Sequence, residues 1–167
     1  MKTTIIAAIT IVLLIAIFIG IGISHSDMPG RTPYLVNDYA GVLNIATKEY
    51  LESLLKYVRD KGSRHTEVVV TIFKSLNGKP FDEFFRQYLA RWWRWSIVEN
   101  HNRIQIVIVT DAGKVRVGVG RPLDKIIDGP KANDIIHTLM LPRFTAGDYS
   151  TGTRVGVEAI IRKLEKR

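Results

Sequence analysis

No cysteine occurs among the 167 residues. That excludes disulfide staples, thiolate nucleophiles and zinc–thiolate sites. Several phosphate-handling and hydrolytic signatures are missing too: no Walker loop, no His-Glu-x-x-His, no Gly-x-Ser-x-Gly, no EF-hand loop and no Asp-x-Asp pair. Gly118-Val119-Gly120 falls short of a dinucleotide fingerprint, because Leu123 stands where the third glycine belongs. The four histidines show no metal-ligand spacing. Lys and Arg total 24 against 16 Asp and Glu, a net charge of +8, yet no five like charges run together. A basic arm for nucleic acid is therefore not indicated, and nucleic acid is not expected as a partner.

Charge is absent altogether from Ile5 to Ile23, where Thr10 is the most polar residue. A helix of that length covers roughly 28 Å, the hydrocarbon thickness of a bilayer. A cleavable signal has a shorter apolar core, about 7–15 residues, and a small-residue cut site. Here the run passes into Ser24-His25-Ser26 with no Ala-x-Ala. Residues 1–24 are therefore read as a retained single-pass transmembrane anchor. Lys2 precedes the run, and only Arg31, offset by Asp27, follows closely. That weak positive-inside bias puts the N-terminus in the cytoplasm and the remaining chain on the extracytoplasmic (periplasmic or lumenal) side. Residues 25–33 are polar and carry proline and glycine, as a tether would; about ten residues reach at most about 33 Å. Residues 34–167 suffice for one domain with its own core.

Within that domain the apolar pattern changes period repeatedly. Tyr50, Leu51, Leu54, Leu55 and Val58 recur at helical spacing, with Asn44 as N-cap and Gly62 as stop. Val68 to Phe73 is a β-branched run of the kind buried on both faces of a sheet. After the Asn77-Gly78 turn and Pro80, the residues Phe81, Phe84, Phe85, Tyr88, Trp92 and Trp95 share one helix face. Ile104 to Thr110 is a second apolar strand; Asp111-Ala112-Gly113 is a hairpin loop; Val115 to Gly120 is a third strand, strictly alternating. Ala132, Ile135, Ile136, Leu139 and Met140 mark a helix stopped by Pro142, and Val157, Ile160, Ile161 and Leu164 mark the last one. Strand, helix and strand imply a right-handed parallel crossover followed by an antiparallel hairpin. The expected fold is a three-layer α/β/α sandwich around a small mixed sheet, preceded by one transmembrane helix.

Four residues are candidates for chemistry. Asp38 and Asp148, with Asn102, lie on loops and could ligate a hard cation such as Ca2+ or Mg2+ through oxygen; each also suits a turn or a helix cap. Arg116 faces opposite to Val115, Val117 and Val119, beside Gly118 and Gly120, whose bare backbone leaves room above the sheet. There it either binds phosphate or carboxylate bidentately or covers a packed face with its stem. Trp93, between Arg91 and Arg94, suits a lipid or partner surface, or a half-buried rim.

Taken in order, Val36-Asn37-Asp38-Tyr39-Ala40-Gly41-Val42-Leu43, Arg94-Trp95, Lys114 to Gly120, Leu141-Pro142-Arg143-Phe144 and Gly147 to Gly152 resemble the TPM-domain family. That family is known from thylakoid-lumen acid phosphatases implicated in photosystem II repair and from bacterial membrane-anchored relatives. The resemblance implies a sheet flanked by helices and an acidic cleft that in some members binds divalent metal and is credited with phosphatase activity. By position, that cleft would use Asp38 and Asp148, with Asn102 and Arg116 nearby. Where the family commonly has Asp-Asn-Gly, this chain has His101-Asn102-Arg103, which removes a ligand and adds positive charge.

The leading expectation is an accessory, assembly or quality-control factor of a membrane protein complex, held in the bilayer through Ile5 to Ile23. The alternatives are a divalent-metal-dependent phosphatase acting on phosphate monoesters, with Asp38, Asp148 and Arg116 catalytic, and an anionic-lipid surface-binding module using Trp93, Arg91 and Arg94.

Overall fold

The computed structural model describes residues 29, 32–93 and 102–166. The apolar run, Arg94, Trp95, His101 and the side chain of Trp93 lie outside the described residues. No helix among the described residues is long and apolar enough to cross a membrane.

The chain folds as a mixed α/β domain on a four-stranded sheet. Strand β1 (Val36–Asp38) leads through helix α1 (Ile45–Lys61) to β2 (Glu67–Phe73). Helix α2 (Phe81–Trp93) then precedes β3 (Arg103–Val109), and a hairpin turns into β4 (Lys114–Val119). The order is β1-β2-β3-β4; the first three strands are parallel and β4 is antiparallel to β3. The mixed sheet and the closing hairpin are those expected from the sequence. Strand β1 is an addition: Asn37-Asp38 is not merely a loop before α1. Three residues carry too little period-2 pattern to read as a strand, and their place is set by pairing Val36 with Val70 and Asp38 with Ile72.

Register decides what each face carries, since paired residues point the same way. Val70, Ile106 and Val117 share one face; Val69, Gln105 and Gly118, and likewise Thr71, Val107 and Arg116, share the other. Helix α2 lies on the second face, with Leu89 and Phe85 directly over Gly118. The space above Gly118 is thus filled by a helix. A polar contact pins that helix: Tyr88 OH and Thr71 Oγ1 are 2.8 Å apart, and Gln105 Nε2 donates to Thr71 at 3.1 Å, all three side chains buried. Phe81, Phe84, Phe85 and Trp92 are buried as their spacing predicts.

Helix α1 begins where Asn44 Oδ1 accepts the Thr47 N–H at 2.8 Å, and it closes as Gly62 N–H reaches the carbonyls of Tyr57 and Val58. Leu51, Leu55 and Val58 are buried, but Tyr50 is not core. It is 46% exposed, and its hydroxyl donates to Glu158 on the last helix at 3.0 Å.

Pro142 does not end a helix. Helix α3 (Gly129–Ile135) widens into a π-helical segment (Ile136–Met140), and α4 (Leu141–Thr145) follows with Pro142 in its first turn. The wider turn lets Leu141 N–H reach Ile136 C=O, which accommodates a ring that would clash in a continuous α-helix. Helix α5 (Tyr149–Glu165) buries Val157, Ile160, Ile161 and Leu164. It passes α3–α4 closely, because Gly152 and Gly156 leave room for Phe144 and Met140.

Candidate functional site

In a parallel sheet, ligands usually sit beyond the carboxyl ends of the strands. That end carries Asp38, and the backbone around it is closely stapled. Asp38 Oδ1 accepts the Gly41 N–H and Oδ2 the Leu43 N–H, each at 2.8 Å. The loop needs this support because Gly41 sits at φ +68°, a conformation that favours glycine. Tyr39 N–H bonds Ile72 C=O, and its ring stacks on Phe73 at 5.7 Å.

The start of α5 reaches the same end. Ser150 Oγ accepts the Asn44 N–H at 2.9 Å, and the Tyr149 hydroxyl donates to Thr110 C=O at 3.3 Å. Asp148 is the N-cap of α5, accepting the Thr151 N–H at 2.9 Å. That backbone hydrogen bond, with nearby Arg143 and Arg154, holds its carboxyl below the ordinary carboxylate value. Asp38 and Asp148 therefore share an end of the sheet, and each carboxylate holds its own loop.

Asn102 is not with them. Its C=O accepts the Glu67 N–H and its Nδ2 donates to Arg64 C=O, which places it where β2 and β3 begin. Ile72, the partner of Asp38, is five strand steps from Glu67, so the two ends stand roughly 17 Å apart. Arg103 does not turn toward an acidic cleft either. It pairs with Glu67 at 3.0 Å, with both side chains mostly buried.

Arg116 takes a third position. Its guanidinium lies over the rings of Phe81 and Phe85, 5.4 Å from each centroid, and pairs with Asp82 in the first turn of α2 at 2.6 Å. Paired with Val107, it shares the α2 face of the sheet, whereas Asp38, paired with Ile72, belongs to the other. Its role in the fold is to clamp α2 onto β4.

The four residues therefore do not converge on one donor set, and no group of three or more His, Asp or Glu suited to a metal ion occurs among the described residues. They do not fit the divalent cation that the resemblance implies. Of the surface candidates, Arg91 is exposed on α2. Trp93 closes that helix, and Arg94 lies outside the described residues.

Sequence reasoning missed Glu52. Its carboxylate accepts the N–H groups of Leu35 and Val36 at 2.8–3.1 Å and so blocks the outer edge of β1. A groove of about 630 Å³ runs beside it, lined among others by Tyr34, Asp38, Leu43, Ile45 and Glu49. An acid on the exposed side of a helical pattern looks merely solvated, so nothing local marks this role.

Comparison with known proteins follows the same outline. The TPM domain model matches residues 36–163. The solution structure of the N-terminal domain of a protein from P. gingivalis is 31% identical, with a TM-score of 0.69, covering 78% of this chain and 82% of that one. The N-terminal domain of the cg2496 protein from Corynebacterium glutamicum is 13% identical, with a TM-score of 0.58, over 83% and 85%. The BA42 protein from Bizionia argentinensis is 14% identical, with a TM-score of 0.56, over 73% and 81%. The last two likenesses concern the fold alone. No curated protein matches the chain.

Proposed function

The chain belongs to the TPM-domain family, and from that premise we propose that it is a membrane-anchored, extracytoplasmic accessory or assembly factor of a membrane protein complex. One observation carries this reading over hydrolysis. The residues that would form a catalytic or metal centre are dispersed: Asp38 and Asp148 staple loops at one end, Asn102 stands at the other, and Arg116 clamps α2. An uncharged run from Ile5 to Ile23 and a short tether support residence at a bilayer.

The test is native separation of membranes solubilised in mild detergent. The full chain should migrate with a larger membrane assembly and lose that partner when residues 34–167 are replaced by an unrelated domain. Migration by itself under every mild condition would remove the reading. In the same preparation, phosphate-monoester hydrolysis lost on Asp38→Ala and on chelation would restore the phosphatase alternative.

A further inference from the structure

The chain enters the domain at the end of the sheet where β2 and β3 begin, and that end carries a group of exposed cations. Hydrogen bonds gather that end from four parts of the sequence. Arg64 Nε donates to Leu164 C=O, and Ser63 N–H donates to Glu165, which brings in the C-terminus of α5. Asn102 bonds Arg64 C=O, and Gly120 N–H bonds Arg103 C=O, so Arg121 follows directly after β4. Ser63, Arg64, His65, Asn102, Pro122 and Leu123 line a single open cleft of about 470 Å³.

Three acids of this end are engaged, while Asp124, whose N–H bonds Arg121 C=O, is exposed beside the cations. Asp60 pairs with Arg59, Glu67 pairs with Arg103, and Glu165 accepts the Ser63 N–H. Lys61, Arg64, Arg121 and Lys166 are exposed and form no salt bridge among the described residues. The negative ends of α1 and α5 answer some of this charge. Arg64 caps the Leu164 carbonyl in the last turn of α5, whereas Arg121 lies on neither helix and is surplus to that need.

The entry point lies at the same end. Because β1 runs parallel to β2, residues before Val36 lead back toward the side where β2 begins. Thr32, Pro33 and Tyr34 line a small cavity there with Arg59, Glu67 and Trp92. The tether that follows the apolar run thus joins the domain beside its exposed cations.

We infer that the domain stands on the bilayer with this end down, and that Lys61, Arg64, Arg121 and Lys166 face anionic lipid headgroups, with the Ser63–His65 cleft open to their phosphates. The inference rests on the membrane placement proposed above and adds an orientation to it. A tether of about ten residues keeps the domain close to the surface, and charge selects the end that faces it, because headgroup attraction fades within about 8 Å at physiological salt. The opposite end, at the β3–β4 hairpin, is held roughly 20 Å further away by the length of β3.

The absence of cysteine makes the test direct. Full-length chain carrying Ser63→Cys, or separately Ala112→Cys at the far hairpin, is labelled with a fluorophore. It is reconstituted into phosphatidylcholine vesicles with or without phosphatidylglycerol and a headgroup-linked quencher. The Ser63 label should be quenched at least about threefold more than the Ala112 label in anionic vesicles. That ratio should fall toward one in neutral vesicles, at high salt, and in the triple variant Lys61→Gln, Arg121→Gln, Lys166→Gln. A ratio near one in anionic vesicles overturns the orientation, and a high ratio indifferent to lipid charge assigns this end to something other than anionic headgroups. Flotation of the vesicles reads the anchor separately. Protein that floats with a ratio of one sinks only the orientation, whereas protein that fails to float sinks the membrane placement as well.

Discussion

At the scale of single residues, three aspartates in this domain act on backbone. Asp128 caps α3 through the Lys131 N–H, Asp148 caps α5 through the Thr151 N–H, and Asp38 holds two amides of its loop. The backbone bonds hold Asp128 and Asp148 below the ordinary carboxylate value. A carboxyl depressed in the folded state stabilises it above the unfolded value of about 4, and that contribution is lost as pH falls through the folded value. Stability measured in urea should therefore decline between about pH 5 and about pH 2. The double variant Asp128→Asn, Asp148→Asn, which keeps a good cap at each site, should decline less steeply. An unchanged slope would show that the caps do not govern acid sensitivity. Such caps are legible in sequence because they act within three residues. The partners of Glu52, sixteen and seventeen residues away, are not.

At the scale of elements, close approach rather than propensity governs α5. An alanine at Gly156 would gain about 1 kcal/mol of helix propensity. Its Cβ would also meet Met140 Cγ at 2.5 Å, in a side chain with no exposure. Gly156→Ala should therefore destabilise the fold by about 1–3 kcal/mol in chemical denaturation. A double-mutant cycle with Met140→Ala should reveal coupling of the same sign as relief of a clash. Stabilisation by Gly156→Ala would mean that α5 and the π-helical segment do not press together there. The same contact explains a limit of pattern reading. Proline is a dependable stop only if the helix keeps one period, and around Pro142 the packed segment changes period instead.

For the whole molecule, stability should be graded across the sheet. Strands β2 and β3 are paired along seven residues and almost entirely buried, whereas β1 has three residues and an outer edge held by one carboxylate. Hydrogen exchange should be slowest in β2 and β3 and fastest in β1. Glu52→Ala should accelerate exchange at Leu35 and Val36 by about tenfold while leaving β2 and β3 unchanged. Uniform acceleration across the sheet would show that β1 belongs to the global unfolding unit.

Hydrophobic period and cap chemistry, both local, were enough to place the main helices, the two central strands, the hairpin and a mixed sheet. Which residues meet depends on register and on the direction of each strand, and these are properties of the assembled sheet. The family resemblance implies one cleft with Asp38 and Asp148, Asn102 and Arg116 nearby, and Arg103 adding positive charge to it. Parallel pairing sends Asn102 to the opposite end, pairing across the sheet turns Arg103 to Glu67, and strand alternation puts Arg116 under α2. The gathering of Lys61, Arg64, Arg121 and Lys166 at one end follows from the same cause: residues more than a hundred positions apart become neighbours only when strands and helices finish on a common side.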